Sequence, residues 1–99
     1  MSNIFNSAGH KMAVIGDDKR IRNLTGTVLG YITDDDDIHD SSGSKVGYFE
    51  ANGYVFEGTE RVGIVRGDGR TYDEENHYVG KTVGDHIQAG GAALLLLIR

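Results

Sequence analysis

Apolar positions along this chain fall into two interlocked columns. One is an apolar residue, a small residue and two further residues that are mostly apolar: Met12-Ala13-Val14-Ile15, Leu29-Gly30-Tyr31-Ile32, Val46-Gly47-Tyr48-Phe49, Val62-Gly63-Ile64-Val65 and Val79-Gly80-Lys81-Thr82. The small residue recurs every 16 or 17 positions. The other column stands eight or nine residues before it, at Ile4, Ile21, Ile38, Val55 and Thr71. Polar turns separate the columns, so each repeat reads strand, turn, strand, turn, with strands of about four to six residues. Short strands with a turn every eight or nine residues predict an all-β chain. No window holds a 3.6-residue period long enough to predict a helix.

The turn that leads from the Ile4 column to the small-residue column has a rule of its own. Asn6-Ser7-Ala8-Gly9, Asn23-Leu24-Thr25-Gly26, Asp40-Ser41-Ser42-Gly43 and Asp73-Glu74-Glu75-Asn76 each run Asx, two variable residues, then Gly or Asn. An Asx side chain accepts from the backbone N–H two residues on, and the fourth position takes positive φ, which suits glycine first and asparagine second. Glu57-Gly58-Thr59-Glu60 is one residue shorter and departs from the rule. The second turns are Gly16-Asp17-Asp18-Lys19, Asp34-Asp35-Asp36-Asp37, Ala51-Asn52-Gly53, Gly67-Asp68-Gly69 and Gly84-Asp85-His86.

With a period of two, Ala13, Gly30, Gly47, Gly63 and Gly80 share a face with Ile15, Ile32, Phe49, Val65 and Thr82. The opposite face carries Met12 with Val14, Leu29 with Tyr31, Val46 with Tyr48, Val62 with Ile64 and Val79 with Lys81. Both faces are largely apolar, which predicts burial on both sides. Glycine inside a strand marks either a bulge or the close approach of another backbone. Small residues at five equivalent places favour five chains crowding one axis over five separate bulges. The chain thus reads as one domain, 1–99, with repeats over 4–19, 20–36, 37–53, 54–69 and 70–86 and a C-terminal apolar segment over 87–99.

That last segment runs Gln88-Ala89-Gly90-Gly91-Ala92-Ala93, then four leucines and Ile98. It is far short of the ~20 apolar residues of a membrane span. It is expected to pack in or over the ring as a buried strand or short helix. The competing expectation is an interface between copies of the chain, formed by the leucine-rich segment.

These five repeats, the Asx turns and the ending from Ala89 to Leu97 together resemble the small family of five-fold β-flower proteins. The resemblance covers nearly the whole chain. It implies five two-stranded petals of about 17 residues closed into a ring around a pseudo-five-fold axis. It implies no known activity, so no catalytic residue is carried over. Ala13 in place of glycine and the short turn at Gly58 depart from the pattern and bear on the register of those petals. A short β-solenoid is the alternative architecture. The ring is preferred because a solenoid leaves two open ends to cap, and neither terminus reads as a polar cap.

Composition narrows the functions. Hydrophobic residues make up 38% of the chain, and glycine supplies 15 positions with no proline. Because the glycine is periodic, it signals turns and close contacts rather than disorder. There is no cysteine, hence no disulfide, thiolate metal site or thiol nucleophile. A formal charge of −5 disfavours a nucleic-acid partner. Met1 to Asn6 has neither the basic start nor the apolar stretch of a secretory signal, and with no anchor the expected location is cytoplasmic.

The most charged stretch is Asp34, Asp35, Asp36 and Asp37, followed by His39 and Asp40. Clustered carboxylates suit Ca²⁺, but this run lacks the alternating spacing and distal glutamate of a calcium loop, and it occupies an ordinary turn slot. His10, His39, His77 and His86 show no i, i+2 or i, i+4 pair for zinc, although His10 and His77 stand at equivalent places on one rim. Ser41, Ser42 and Ser44 near His39 and Asp40 are expected from turn chemistry alone. Gly67-Asp68-Gly69-Arg70 lacks the lysine and following helix of a phosphate loop. The expectation is a non-enzymatic all-β binding or assembly module that needs no cofactor. The second reading is a weak Ca²⁺- or Zn²⁺-dependent binding protein or enzyme that uses the acidic turn and the rim histidines.

Overall fold

The computed structural model describes residues 1–98; Arg99, at the end of the 87–99 segment, lies outside them. Ten antiparallel strands follow one another around a closed barrel: β1 (Ser2–Asn6), β2 (Lys11–Ile15), β3 (Arg20–Asn23), β4 (Val28–Ile32), β5 (Asp37–Asp40), β6 (Lys45–Phe49), β7 (Tyr54–Glu57), β8 (Glu60–Val65), β9 (Arg70–Asp73) and β10 (Tyr78–Val83). Consecutive strands pair, and β1 closes the ring on β10 through Ile4 opposite Thr82. The predicted repeats are thus five hairpin petals, the first beginning at Ser2 rather than at residue 4. A closed sheet has no free edge, whereas a solenoid has two ends, so the solenoid alternative falls.

The Asx turns form as their chemistry requires. Asn6, Asn23, Asp40 and Asp73 each accept, through Oδ1, the N–H groups two and four residues on, at 2.8–3.1 Å. Gly9, Gly26, Gly43 and Asn76 all take positive φ. The fourth petal closes instead through a tight turn in which Glu57 pairs with Glu60 and Gly58 carries the positive φ.

Two details of the period-two reading change. Each petal hairpin skips one residue of its second strand just before the small residue: Met12, Leu29, Val46, Val62 and Val79 are passed over in the pairing. These are β-bulges, which re-aim a side chain. Leu29, Val46, Val62 and Val79 are partly buried and pack against the core. The rest of the outer face, including Tyr31, Tyr48 and Ile64, is half-exposed rather than buried, because no second layer covers the barrel.

The barrel is filled by the C-terminal segment. Helix α1 (Ile87–Ala93) enters at one mouth and continues into a π-helix, Leu94–Ile98. A Cβ on Gly80, Gly63, Gly47 or Gly30 would meet Leu94, Leu95, Leu96 and Leu97 respectively, as well as a backbone carbonyl oxygen of the adjoining strand. Five backbones therefore do not crowd one another at the axis. The small residues make room for a central helix, and successive leucines serve successive petals in reverse order. An α-helix turns about 100° per residue, too fast to present consecutive side chains to five petals in order. A helix with i→i+5 bonds turns more slowly, which suits a five-fold wall. Leu94, Leu95 and Leu96 are 2%, 4% and 9% exposed, so these leucines are part of the core of their own barrel. No helix among the described residues is long and apolar enough to cross a membrane.

Candidate functional site

The barrel has two rims of unlike regularity. The Asx turns form one. The other consists of the turns between petals, where Lys19, Asp36, Gly53 and Gly69 bond back through N–H to Gly16, Thr33, Glu50 and Arg66 at 2.9–3.1 Å. The carbonyls of the same four residues accept from Ile32, Phe49, Val65 and Thr82 in the second strand of the following petal, at 2.8–3.1 Å. All four take positive φ. Two therefore hold glycine, which this conformation favours, and two hold a charged residue that it disfavours.

The fifth turn is built from both ends of the chain. Ser2, fully buried, stands at the equivalent place and accepts the N–H of His86 at 2.8 Å, while its hydroxyl donates to Asp85 at 3.1 Å. Asp85 also receives the N-terminal amine at 3.3 Å. Hydrogen bonds from that amine hold the Asp85 carboxyl below its ordinary range.

Helix α1 does not sit centrally in this mouth. Gly90 lies against Thr82, and Gly91 against Val65 and Thr71, so closely that a Cβ on either glycine would overlap them. Gln88 Nε2 donates to the Ala51 carbonyl at 2.8 Å, tying the helix to the turn before Gly53. The helix thus leans on the fourth and fifth petals. Between α1 and the second and third petals, a cleft of about 280 Å³ stays open. Ile32, Phe49, Ile87 and Ala89 supply its apolar lining, and Lys19, Asp36, Asp85, His86 and Gln88 its polar lining. Lys19 Nζ bonds Asp34 at 2.8 Å, which raises the lysine pKa and lowers that of the carboxyl.

The sequence candidates disperse. Asp34 faces Lys19, the Asp35 and Asp37 N–H groups cap on Thr33 Oγ1, Asp36 lines the cleft, and Asp37 pairs with Lys45 at 3.3 Å. No three His, Asp or Glu side chains among the described residues are grouped to hold a metal ion. His10 and His77 are exposed on the Asx-turn rim, and His77 Nδ1 lies 3.4 Å from Asp73. His39 stacks on Tyr31 with ring centroids 5.1 Å apart and bonds the Gly43 carbonyl through Nδ1, so it serves none of the neighbouring serines. Ser42 donates to Asp40 at 2.6 Å, a turn contact that lowers the Asp40 pKa. The Gly67–Gly69 stretch is one of the inter-petal turns.

Of the cleft residues, Lys19, His86, Gln88 and the apolar floor were not foreseen as a site. One signal was available: Lys19 and Asp36 stand where Gly53 and Gly69 stand two petals on. The outer wall was missed as well. Tyr31 with His39 and Tyr48 with Phe56 stack across directly paired strands, and Lys45, Arg61 and Arg66 lie over the rings of Tyr48, Tyr54 and Tyr72 at 4.6–5.1 Å.

A family described as "5-fold beta-flower protein" matches residues 1–98. The chain belongs to that family. Its five petals and their closure into a ring fit that description. No curated protein and no solved structure matches the chain.

Proposed function

We propose that this β-flower protein is a non-enzymatic binding module whose ligand site is the cleft between the second and third petals. The carrying observation is the exchange of glycine for Lys19 and Asp36 at positive-φ positions bordering the open side of the mouth, while the side covered by α1 keeps glycine. A side chain held in a disfavoured backbone conformation costs stability, about 1 kcal/mol at such a site. Costs of this kind concentrate where a side chain serves recognition. The mixed lining, an apolar floor with a few polar groups at the edge, is the composition of small-molecule sites.

The reading as a binder rather than a catalyst rests on the surrounding groups. Ser2, Asp34, Asp85 and Gln88 are each engaged in a contact that holds the mouth together. Assembly through the leucines is not part of this reading, since Leu94–Leu96 are buried in their own barrel. The formal charge of −5 argues against nucleic acid as the ligand. Titration of labelled protein with a small aromatic and aliphatic fragment set, followed by amide chemical shifts, tests the site. Shifts centred on Lys19, Asp36, His86 and Gln88 are expected. Shifts confined to the outer wall or the Asx-turn rim would overturn the assignment.

A further inference from the structure

We infer that the cleft takes an organic cation, an amine or ammonium group carried on an apolar body, with Asp36 as its counter-ion. This rests on the proposed cleft and adds the class of ligand to it.

Charge balance around the mouth selects the sign. Both cations near the cleft are already bonded: Lys19 to Asp34 at 2.8 Å, and the Met1 amine to Asp17 and Asp85 at 3.4 and 3.3 Å. Their charge is thus already offset by Asp34, Asp17 and Asp85, which would repel an incoming anion. Asp36 is different. Its carboxylate makes no hydrogen bond or ion pair within 4 Å among the described residues, although it lies within the electrostatic reach of Lys19. It is thus the lining carboxylate left for a ligand, since Asp85 is engaged by Ser2 and the N-terminus.

The floor selects the body. Ile32 and Phe49 are 7% and 8% exposed, whereas Ile15, Val65 and Thr82, their counterparts in the other petals, are 0%, 4% and 1% exposed. The close contacts of the α1 glycines fall on Val65, Thr71 and Thr82 rather than on Ile32 or Phe49. A small apolar group laid on Ile32 and Phe49 would complete the packing that the helix gives elsewhere, with its ammonium over Asp36 at the edge. A charge-assisted hydrogen bond to the exposed Asp36 carboxylate discriminates against neutral and acidic analogues.

The test uses the full chain, isotopically labelled, titrated to millimolar with 2-phenylethylamine, 2-phenylethanol and 3-phenylpropionate. Amide shifts are read at Lys19, Asp36, His86 and Gln88. The amine is expected to bind about tenfold more tightly than either analogue, and Asp36→Asn to remove that preference. Asp36→Gly is the folding control: Gly53 and Gly69 occupy equivalent positions, so this variant should melt at or above the parent temperature while also losing the preference. If the three probes bind equally, or if Asp36→Asn leaves the amine affinity unchanged, the cation assignment is overturned and the cleft remains a binding site. If none of the probes shifts the cleft residues, the site itself is overturned together with the assignment.

Discussion

Leu96 occupies, with its terminal methyls, the space that a Cβ on Gly47 would need, and the Phe56 carbonyl oxygen closes the same space from the neighbouring strand. The glycine is small because a helix passes in front of it, and its φ lies outside the left-handed region. Gly9 is the opposite case, with φ +84° and nothing within 4 Å of a Cβ. Alanine at the two sites therefore separates packing from backbone conformation. Gly47→Ala should cost about 3 kcal/mol, since neither the backbone nor the central helix can yield freely. Gly9→Ala should cost about 1 kcal/mol. Urea unfolding of both variants checks the ranking, and equal costs would contradict the packing account.

Because each of Leu94 to Leu97 serves a different petal, removing them leaves the barrel hollow on most sides at once. A chain ending at Gly91 should not fold, as judged by far-ultraviolet circular dichroism and sedimentation. Leu95→Ala alone, facing Gly63, should fold and lose about 3 kcal/mol, the usual cost of a buried leucine truncated in a wall that cannot collapse. A stable, folded truncated chain would mean that the leucines are not the core.

The petals were legible in the sequence because their signals are local. Asn76 in a slot otherwise held by glycine announced its positive φ, and the Asx residue three places before the Gly or Asn in four of the turns announced its acceptor role. The bulges at Met12, Leu29, Val46, Val62 and Val79 overturn the preference for axial crowding over five bulges: the strand glycines carried that signal, but a skipped residue leaves the apolar pattern intact and changes only its register. The π-helix left no trace either: a helix walled in on all sides has no polar face, so Ala92 to Ile98 shows no period to read. Lys19 escaped notice as a left-handed residue because lysine does not signal that conformation, and Asp36, a residue type that tolerates it, was hidden in a run of four aspartates. The cleft beside them depends on where α1 leans, and that is set by contacts such as Gly90 with Thr82 between distant parts of the chain.

Acid should weaken the fold through the turn carboxylates. The Arg22 guanidinium, and then the Arg20 N–H, hold the Asp18 carboxyl down at about 2. Asp34, Asp40, Asp73 and Asp85 are lowered as well, Asp40 chiefly by the Ser42 hydroxyl and Asp73 chiefly by the His77 N–H. With folded values below the unfolded value of about 3.9, the unfolded chain binds more protons in this window. The stabilisation is full above pH ~4 and is lost as pH falls towards ~2. Melting temperatures from pH 5 to pH 2 should decline accordingly. Asp40→Asn with Asp73→Asn should keep both turns, since Asn6 and Asn23 make the same bonds, and flatten part of that decline. A decline of unchanged steepness would place the titrating groups elsewhere.

Thr71 and Thr82 face the glycines of α1 with buried hydroxyls that have no hydrogen-bond partner among the described residues. Their counterparts in the fourth petal are Val55 and Val65, apolar residues of nearly the same shape. A buried hydroxyl without a partner costs about 1–3 kcal/mol, and replacing it with a methyl removes that cost without changing the volume beside Gly91. Thr71→Val should therefore raise the unfolding free energy by about 1 kcal/mol, and Thr82→Val should do the same beside Gly90. The midpoint of urea unfolding should move upward with an unchanged slope. A downward shift would show that the hydroxyl is bonded in solution, and that the helix is held to the fourth and fifth petals by polar contact as well as by close packing.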